Sequence, residues 1–331
     1  MPSRSDLVTD DVEEAAEVLA RGGLVAIPTE TVYGLAAVAD RPESVARIFE
    51  IKGRPADHPL IVHVADADRL AGWVDAIPVE ASTLATACWP GPLTMLLRRG
   101  ARTPDVVTGG RPTVGVRVPA HPLTGRLLDL LDTGLAAPSA NRFGRVSPTT
   151  VDHVLDDIGD LLDPDRDRIL DGGACDVGVE STIVDLTVRP PQVLRAGAID
   201  ADTIGRLLHG PVDDAAGPSR ASGMLASHYA PACTLVLVET AEEARSALGR
   251  ATAAGERVDL LDRTDDLVEA ARHLYDDLRS ADRAELAVLV VRMPPPRGLG
   301  LALRDRLGKA AVRRPDPPGP LTPGAPTSPA D

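Results

Sequence analysis

Ile27-Pro28-Thr29-Glu30-Thr31-Val32-Tyr33-Gly34-Leu35 is followed, one predicted helix later, by Lys52-Gly53-Arg54-Pro55. The apolar strand Leu24 to Ile27 runs into the first of these segments, so hydroxyls and a carboxylate are delivered at a strand end. The helix between them has Asp40 as a candidate N-cap, Pro42 near its first turn, Val45, Ile48 and Phe49 on one face, and Gly53 at its end. It brings two cations, Lys52 and Arg54, back toward the same place. The chain carries 35 Lys plus Arg, and only Lys52 and Lys309 are lysines. An ammonium is a compact charge suited to a phosphate oxygen and a guanidinium is a planar fork, so the pair reads either as a mixed polyanion clamp or as a solvated surface pair.

Outward from this unit the alternation of helix and strand continues. Helical patterns cover Val12 to Leu19, Ala67 to Val74, Val79 to Cys88, Pro122 to Leu131 and Ala201 to Leu208, with Gly22-Gly23 breaking the first. Strands are predicted at Leu60 to Val64, Leu93 to Leu97, Val114 to Val118, Leu135 to Ala137, Ser181 to Leu186 and Val193 to Leu194. Interleaving of this kind predicts a layered α/β sheet. From Gly210 to Ala232 the pattern dissolves into Pro, Gly, Ser, Asp and Ala, which reads as a linker. A smaller βαβαβα unit follows, with strands at Leu235 to Val238, Val258 to Leu261 and Leu286 to Val291, and helices at Ala241 to Leu248, Asp266 to Leu278 and Leu299 to Ala311. It is Rossmann-like in outline but lacks a GxGxxG turn, which favours a structural or regulatory role over catalysis. The expected division is a catalytic domain at 1–212, a linker at 213–232, a C-terminal domain at 233–312 and a disordered Pro-rich tail at 313–331.

Composition narrows the function classes. A chain of 331 residues with 44% hydrophobic residues can bury two cores, but aromatics are only 2%, leaving little ring surface for stacking exposed bases. A net charge of −14 opposes general nucleic-acid binding, which is driven by cationic neutralisation of phosphates. Cys88, Cys175 and Cys233 are far apart and form no CxxC pair, so neither a zinc site nor a disulfide framework is indicated. The N-terminus MPSRSDLVTDD has no apolar h-region, and no long apolar run occurs; the expectation is a soluble, cytoplasmic protein.

Further motifs carry chemistry by position. Thr113 and Arg117 lie four apart on a predicted strand and face the same side. Pro138-Ser139-Ala140-Asn141 follows an apolar strand, and Ser147-Pro148-Thr149 reads as an N-cap with Pro at the first helical position. Free N–H groups at a helix start favour a phosphate, which makes Ser139, Asn141 and Ser147 candidate nucleotide ligands. For Ser147, capping alone would also explain the residue. No Ser-His-Asp order, thiol nucleophile or carboxylate pair stands out, so covalent catalysis is not implied.

Taken together, Pro28 to Leu35, KGRPADHPLIVHV at 52–64, PSANRFGRVSPT at 138–149, GVESTIVD at 178–185 and Arg195-Ala196-Gly197 resemble the ordered motif set of the YrdC/Sua5 family. Members of that family are L-threonylcarbamoyladenylate synthases. The later stretches SGMLASHYAP at 222–231 and GLGLALRDRL at 298–307 resemble the linker and last helix of the two-domain Sua5 type. The resemblance implies a YrdC-like twisted open mixed sheet with helices, plus the smaller Rossmann-like C-terminal domain. It also implies condensation of L-threonine, bicarbonate and ATP with release of pyrophosphate, for N6-threonylcarbamoyladenosine in tRNA.

Carried over residue by residue, the resemblance gives Lys52 and Arg54 as catalytic cations on the polyphosphate. Around the ATP it adds His58, Thr113, Ser139, Asn141, Ser147, Arg195 and Tyr229. His58 stands where many relatives are expected to have Asn. Around the threonine it gives Thr31, His63, Arg117, Ala137 and Ser181, with Arg117 on the substrate carboxylate and Ala137 acting through its backbone. On sequence grounds Thr29 and Thr31 are not separable, a lone His63 on an apolar strand reads first as a core histidine and only the motif shifts it to the site, and Glu30 could orient an ammonium or a backbone group. The linker is implied to act as an active-site lid, and Tyr229 alternatively packs on the second domain. The resemblance also implies ATP as a substrate, Mg2+ carried on its phosphates, and tRNA-modifying threonylcarbamoyl transferase proteins downstream. The competing readings are a YrdC-fold RNA-binding module without catalysis, and a carbamoyl-transfer maturation enzyme, whose CxxC zinc modules and acylphosphatase unit are not visible here.

Overall fold

The computed structural model describes residues 4–217, 221 and 229–312. Eleven strands form one mixed sheet: β1 (Val8–Thr9), β2 (Val25–Ile27), β3 (Gly34–Val38), β4 (Ile61–His63), β5 (Leu93–Arg98), β6 (Thr113–Arg117), β7 (Leu135–Ala136), β8 (Arg168–Leu170), β9 (Thr182–Asp185), β10 (Gln192–Arg195) and β11 (Asp213–Asp214), in the order β1-β8-β2-β3-β7-β4-β6-β5-β9-β10-β11. Parallel pairs such as β4 with β6 and β5 with β9 alternate with antiparallel pairs such as β2 with β3 and β5 with β6. Both faces are covered, which is why the strands read as continuous apolar runs. Along β2, Ala26 joins the core beneath helices Pro42–Lys52 and Val79–Cys88. Val25 and Ile27 point the other way, toward helices Val12–Ala20 and Pro122–Leu131.

Three further strands, β12 (Thr234–Val238), β13 (Val258–Leu261) and β14 (Val288–Arg292), form a separate parallel sheet in the order β12-β14-β13. Helix Ala241–Ala253, opened by a Thr240/Glu243 capping box, covers one face through Ala244 and Ala247 against Val288 and Val290. Helices Leu267–Arg283 and Leu299–Ala311 cover the other with Leu274, Leu278, Leu303 and Leu307. The cluster they build also takes in Val32, Val146, Val179 and Tyr229, so the second unit's core is continuous with loops of the first. At this seam Gly178 has φ 78° and a Cβ there would stand 2.3 Å from the Ala271 carbonyl oxygen, a close approach that only glycine permits.

Several local expectations differ from the structure. β3 takes in only the last two residues of the opening motif and runs beyond it, since Gly34 to Val38 is buried throughout and pairs with β2 and β7. Strands β1, β8 and β11 and the helices Arg4–Leu7 and Asp105–Thr108 add to the predicted set, and the helix announced by Ser147-Pro148-Thr149 begins only at Val151, as Val151–Ile158. Ala67 to Val74 is not a helix: a single 3₁₀ turn, Ala67–Leu70, ends before Gly72, whose φ is 82°. Asp40 does not cap the following helix. Arg41 takes that position without a side-chain bond, and the Asp40 carboxylate instead accepts from Arg102 Nη2 at 2.7 Å. Gly53 does end that helix, in the left-handed conformation with φ 58°.

Candidate active site

Parallel pairing of β4 and β6 sets His63 beside Arg117, in register at the carboxyl ends of the two strands. That is where open α/β sheets place their ligand sites. The loop from β2 to β3 supplies Thr29, Glu30 and Thr31. The Thr29 hydroxyl donates to the Val32 carbonyl at 2.6 Å and accepts from the Thr31 and Val32 N–H groups, so it is spent on the turn. This separates the two threonines. Thr31 keeps its hydroxyl 2.8 Å from Thr29 Oγ1 and 3.0 Å from Arg117 Nη1. Arg117 also donates through Nε to the Gly91 carbonyl and forms an ion pair with Glu30 at 2.7 Å. Glu30 fixes the next turn as well, accepting the Ala120 N–H at 3.0 Å.

His63 is buried, and burial together with the Arg117 charge pushes its pKa down to about 3, so the imidazole is neutral. Its Nδ1 has no hydrogen-bond partner among the described residues. Ser181, just before β9, shares a hydrogen bond of 2.8 Å with Thr94 on the adjacent strand β5. Arg195 ends β10, where a register shift after Val193 re-aims it. Its Nε and Nη2 each donate at 3.0 Å to Ser181, one to the carbonyl and one to the hydroxyl.

These residues border an open cavity with about 600 Å³ of empty space. Of the expected site residues it brings together Thr31, Arg54, His63, Arg117, Ala137, Ser139, Ser181, Arg195 and Tyr229. Five others stand outside its lining. Lys52 is buried and donates to the Ser139 carbonyl at 2.6 Å and to the Asn141 carbonyl, which rules out a solvated surface pair and ties it to the loop forming one wall. Asn141 folds its Nδ2 onto the Arg142 and Arg145 carbonyls. His58 packs edge-on against Phe143 at 5.3 Å. Thr113 shares a face of β6 with Arg117 but sits at the opposite end of the strand, about 13 Å away at the usual rise per residue. Ser147 is not a helix cap. The helix Val151–Ile158 is capped by the Thr150 side chain, and the Ser147 hydroxyl donates to Glu180 at 2.6 Å.

The cations are concentrated. Burial lowers the pKa of Lys52, and Arg54 lowers it further; burial and then Arg195 bring Arg54 to about 10; Arg195 is lowered chiefly by burial. Mutually raised cost of this kind is relieved by an anion. The residues that sequence reasoning missed are Tyr275 and Arg306, both buried and both bonded to Glu180. Arg306 lies on the apolar stripe of its helix with Leu303, Leu307 and Ala310, and a charge in such a stripe was the available signal. Tyr229 stacks on Tyr275 with ring centroids 5.6 Å apart and has φ 65°. Residues 222–228 of the linker motif, including His228, lie outside the described residues, as does the tail at 313–331.

Two family models match the chain. One, described as telomere recombination and covering the Sua5, YciO and YrdC proteins, matches residues 17–197; the other, the C-terminal domain of threonylcarbamoyl-AMP synthase, matches residues 194–312. The threonylcarbamoyl-AMP synthase of Pyrococcus abyssi is 39% identical over 91% of this chain and 94% of its own length. That of Bacillus subtilis is 37% identical over 93% of this chain and 96% of its own. The crystal structure of P. abyssi Sua5 complexed with L-threonine superposes with a TM-score of 0.85 at 38% identity, covering 91% of this chain and 94% of that one. E. coli YciO, at 23% identity and a TM-score of 0.51, shares the fold of the first unit. The match spans both sheets and most of each relative, and the chain belongs to the threonylcarbamoyl-AMP synthase family in its two-domain Sua5 form.

Proposed function

We propose that this chain condenses L-threonine, bicarbonate and ATP to L-threonylcarbamoyladenylate and releases pyrophosphate. The observation that carries this reading is one cavity with two chemically different ends. At one end Arg117, Thr31 and the neutral His63 set a cation, a hydroxyl and an imidazole around the space for a small amino acid, with Glu30 paired to Arg117 outside the lining. Glu30 pairs with Arg117 at 2.7 Å and accepts the Ala120 N–H, so it orients the guanidinium for a substrate carboxylate. At the other end Arg54 and Arg195, with Lys52 behind the Ser139–Asn141 wall, concentrate positive charge suited to a polyphosphate.

The chemistry needs no nucleophile from the protein. The threonine amine attacks bicarbonate, water leaves, and the resulting carbamate oxygen attacks the α-phosphorus of ATP as the bond to pyrophosphate breaks. The protein holds the two reactants in line and stabilises the charge that grows on the leaving pyrophosphate. Magnesium is assigned to the ATP oxygens, which a hard cation prefers. We assign catalysis to residues 1–212. The linker at 213–232 becomes a lid that brings Tyr229 over the cavity, and residues 233–312 act as its support. No helix among the described residues is long and apolar enough to cross a membrane. A cytoplasmic enzyme that hands its labile product to a tRNA-modifying transferase fits these features and the acidic surface charge.

The test is pyrophosphate release with each substrate omitted in turn. Release should require all three and should vanish with leucine in place of threonine. Equal release without bicarbonate would replace this reading with simple amino-acid activation, and salt-dependent tRNA retention without any turnover would replace it with RNA binding.

A further inference from the structure

Glu180 is a buried charge at the edge of the cavity that neither substrate end uses. Its Oε1 accepts from the Ser147 hydroxyl at 2.6 Å, and its Oε2 from the Tyr275 hydroxyl at 2.7 Å and from Arg306 Nε at 2.8 Å. Arg306 arrives from the second unit and is fully enclosed. Its Nη2 donates at 2.9 Å to the carbonyl of Ala196, the residue after Arg195. Its guanidinium carbon also lies 5.3 Å from the ring centre of Tyr229, which lines the cavity.

Arg306 also donates through Nη1 to Asp305 at 2.5 Å, and Arg195, bonded to Ser181 beside Glu180, is the second cation acting on the Glu180 carboxylate. Burial by itself would raise the Glu180 carboxyl, but Arg306 first and Arg195 second hold it at about 2. Arg195 currently directs Nε and Nη2 at Ser181 instead. An enclosed carboxylate that loses its main cation turns to the next one available, because an uncompensated charge in a low-dielectric interior is costly.

We propose that Arg306 is a positioning residue of the synthase: by holding Glu180 and the Ala196 carbonyl, it keeps Glu180 from pairing with Arg195 and leaves Arg195 aimed at the nucleotide phosphates. The inference rests on the reading of Arg195 as a nucleotide contact. It gives the second unit a share in ATP binding without touching ATP.

The experiment is steady-state pyrophosphate release from the full chain with ATP varied. For Arg306→Met the KM for ATP rises about tenfold or more while kcat stays within about threefold, since the loss is in binding. In the double variant Glu180→Gln/Arg306→Met the competing carboxylate is gone, and the KM returns to within about threefold of wild type. A purely structural role predicts the opposite split, with kcat falling as folded protein is lost and the KM of the remaining folded enzyme unchanged. An unchanged KM for ATP in Arg306→Met, or a double variant no better than the single one, overturns the proposal. Should Arg306→Met not fold, Arg306→Lys with and without Glu180→Gln is read the same way, because one ammonium cannot span both Glu180 and the Ala196 carbonyl. A wild-type chain that releases no pyrophosphate from ATP, threonine and bicarbonate would instead overturn the functional reading beneath it.

Discussion

The wall carrying Thr31, His63 and Arg117 and the wall carrying Glu180, Arg195 and Tyr229 border the same cavity, yet they are held in different ways. The first is fixed within one unit and chiefly by a ladder: His63 and Arg117 are partners in the β4/β6 pairing, the Thr29 hydroxyl takes the Thr31 and Val32 N–H groups, and Glu30 pairs with Arg117. The second is fixed by side chains that cross between two units, with Glu180 bonded to Tyr275 and Arg306, and Arg279 paired with Asp157 at 3.1 Å. A ladder spreads its strength over many hydrogen bonds. A seam of buried charges concentrates it in a few groups, where removal of one partner strands the other. The first wall should therefore respond to substitution by losing a substrate, and the second by losing its arrangement.

The sharpest way to break that contrast is Lys52→Ala. The ammonium ties the Ser139 and Asn141 carbonyls behind the cation-rich end, so its loss unseats that wall, and misplacing groups there should lower the rate roughly a hundredfold or more with threonine affinity nearly kept. Wild-type turnover would show that the wall keeps its shape without the ammonium. Acid should act on the seam next. The Glu180 carboxyl titrates at about 2 in the folded chain against an ordinary 4.5, so the unfolded chain binds the proton more readily and stability present above pH 4.5 is lost as the pH falls toward 2. His63, at about 3 against 6.5, adds loss in the same direction beginning at higher pH. Thermal melts across this range should show Glu180→Gln flattening the slope below pH 4.5 only; an unaltered slope would mean the seam carboxylate is not the group titrating.

Arg117→Ala tests the ladder wall. Threonine binding should weaken by about 2 kcal/mol, the scale of a charge-assisted hydrogen bond, with the KM for ATP mostly retained. Equal weakening of both substrates would undo the division of the cavity into two ends. The smallest expected effect is Tyr275→Phe, which removes one of three donors to Glu180 and should cost about 1 kcal/mol of stability in denaturant melts. A loss several times larger would mean that Tyr275 anchors the stacked Tyr229 as well.

Much of the first wall was legible in the sequence because its residues lie at strand ends announced by apolar runs. Val114 to Val118 read as a strand places Arg117 near its carboxyl end, and the observed β6 ends there. What was not legible was how far along a strand a residue sits from the site. The spacing of Thr113 and Arg117 gives their common face, but only the β4/β6 register shows that one reaches the cavity and the other lies at the far end. Ser147 misled for a related reason: Ser-Pro-Thr reads as a helix start, and the chain runs three residues further before Thr150 caps it, freeing Ser147 for Glu180.

By itself the sequence determined the α/β alternation, the two units, the family motif segments and the Lys52/Arg54 spacing, because periodicity, turn residues and motif spacing are local properties. Only the tertiary structure decided that Lys52 is buried behind a wall, that Thr31 and not Thr29 faces Arg117, and that a carboxylate near residue 180 depends on a guanidinium 126 residues later. The physical reason is that a buried charge is settled by whichever partner packing brings within reach, and no local pattern records which distant helix will supply it.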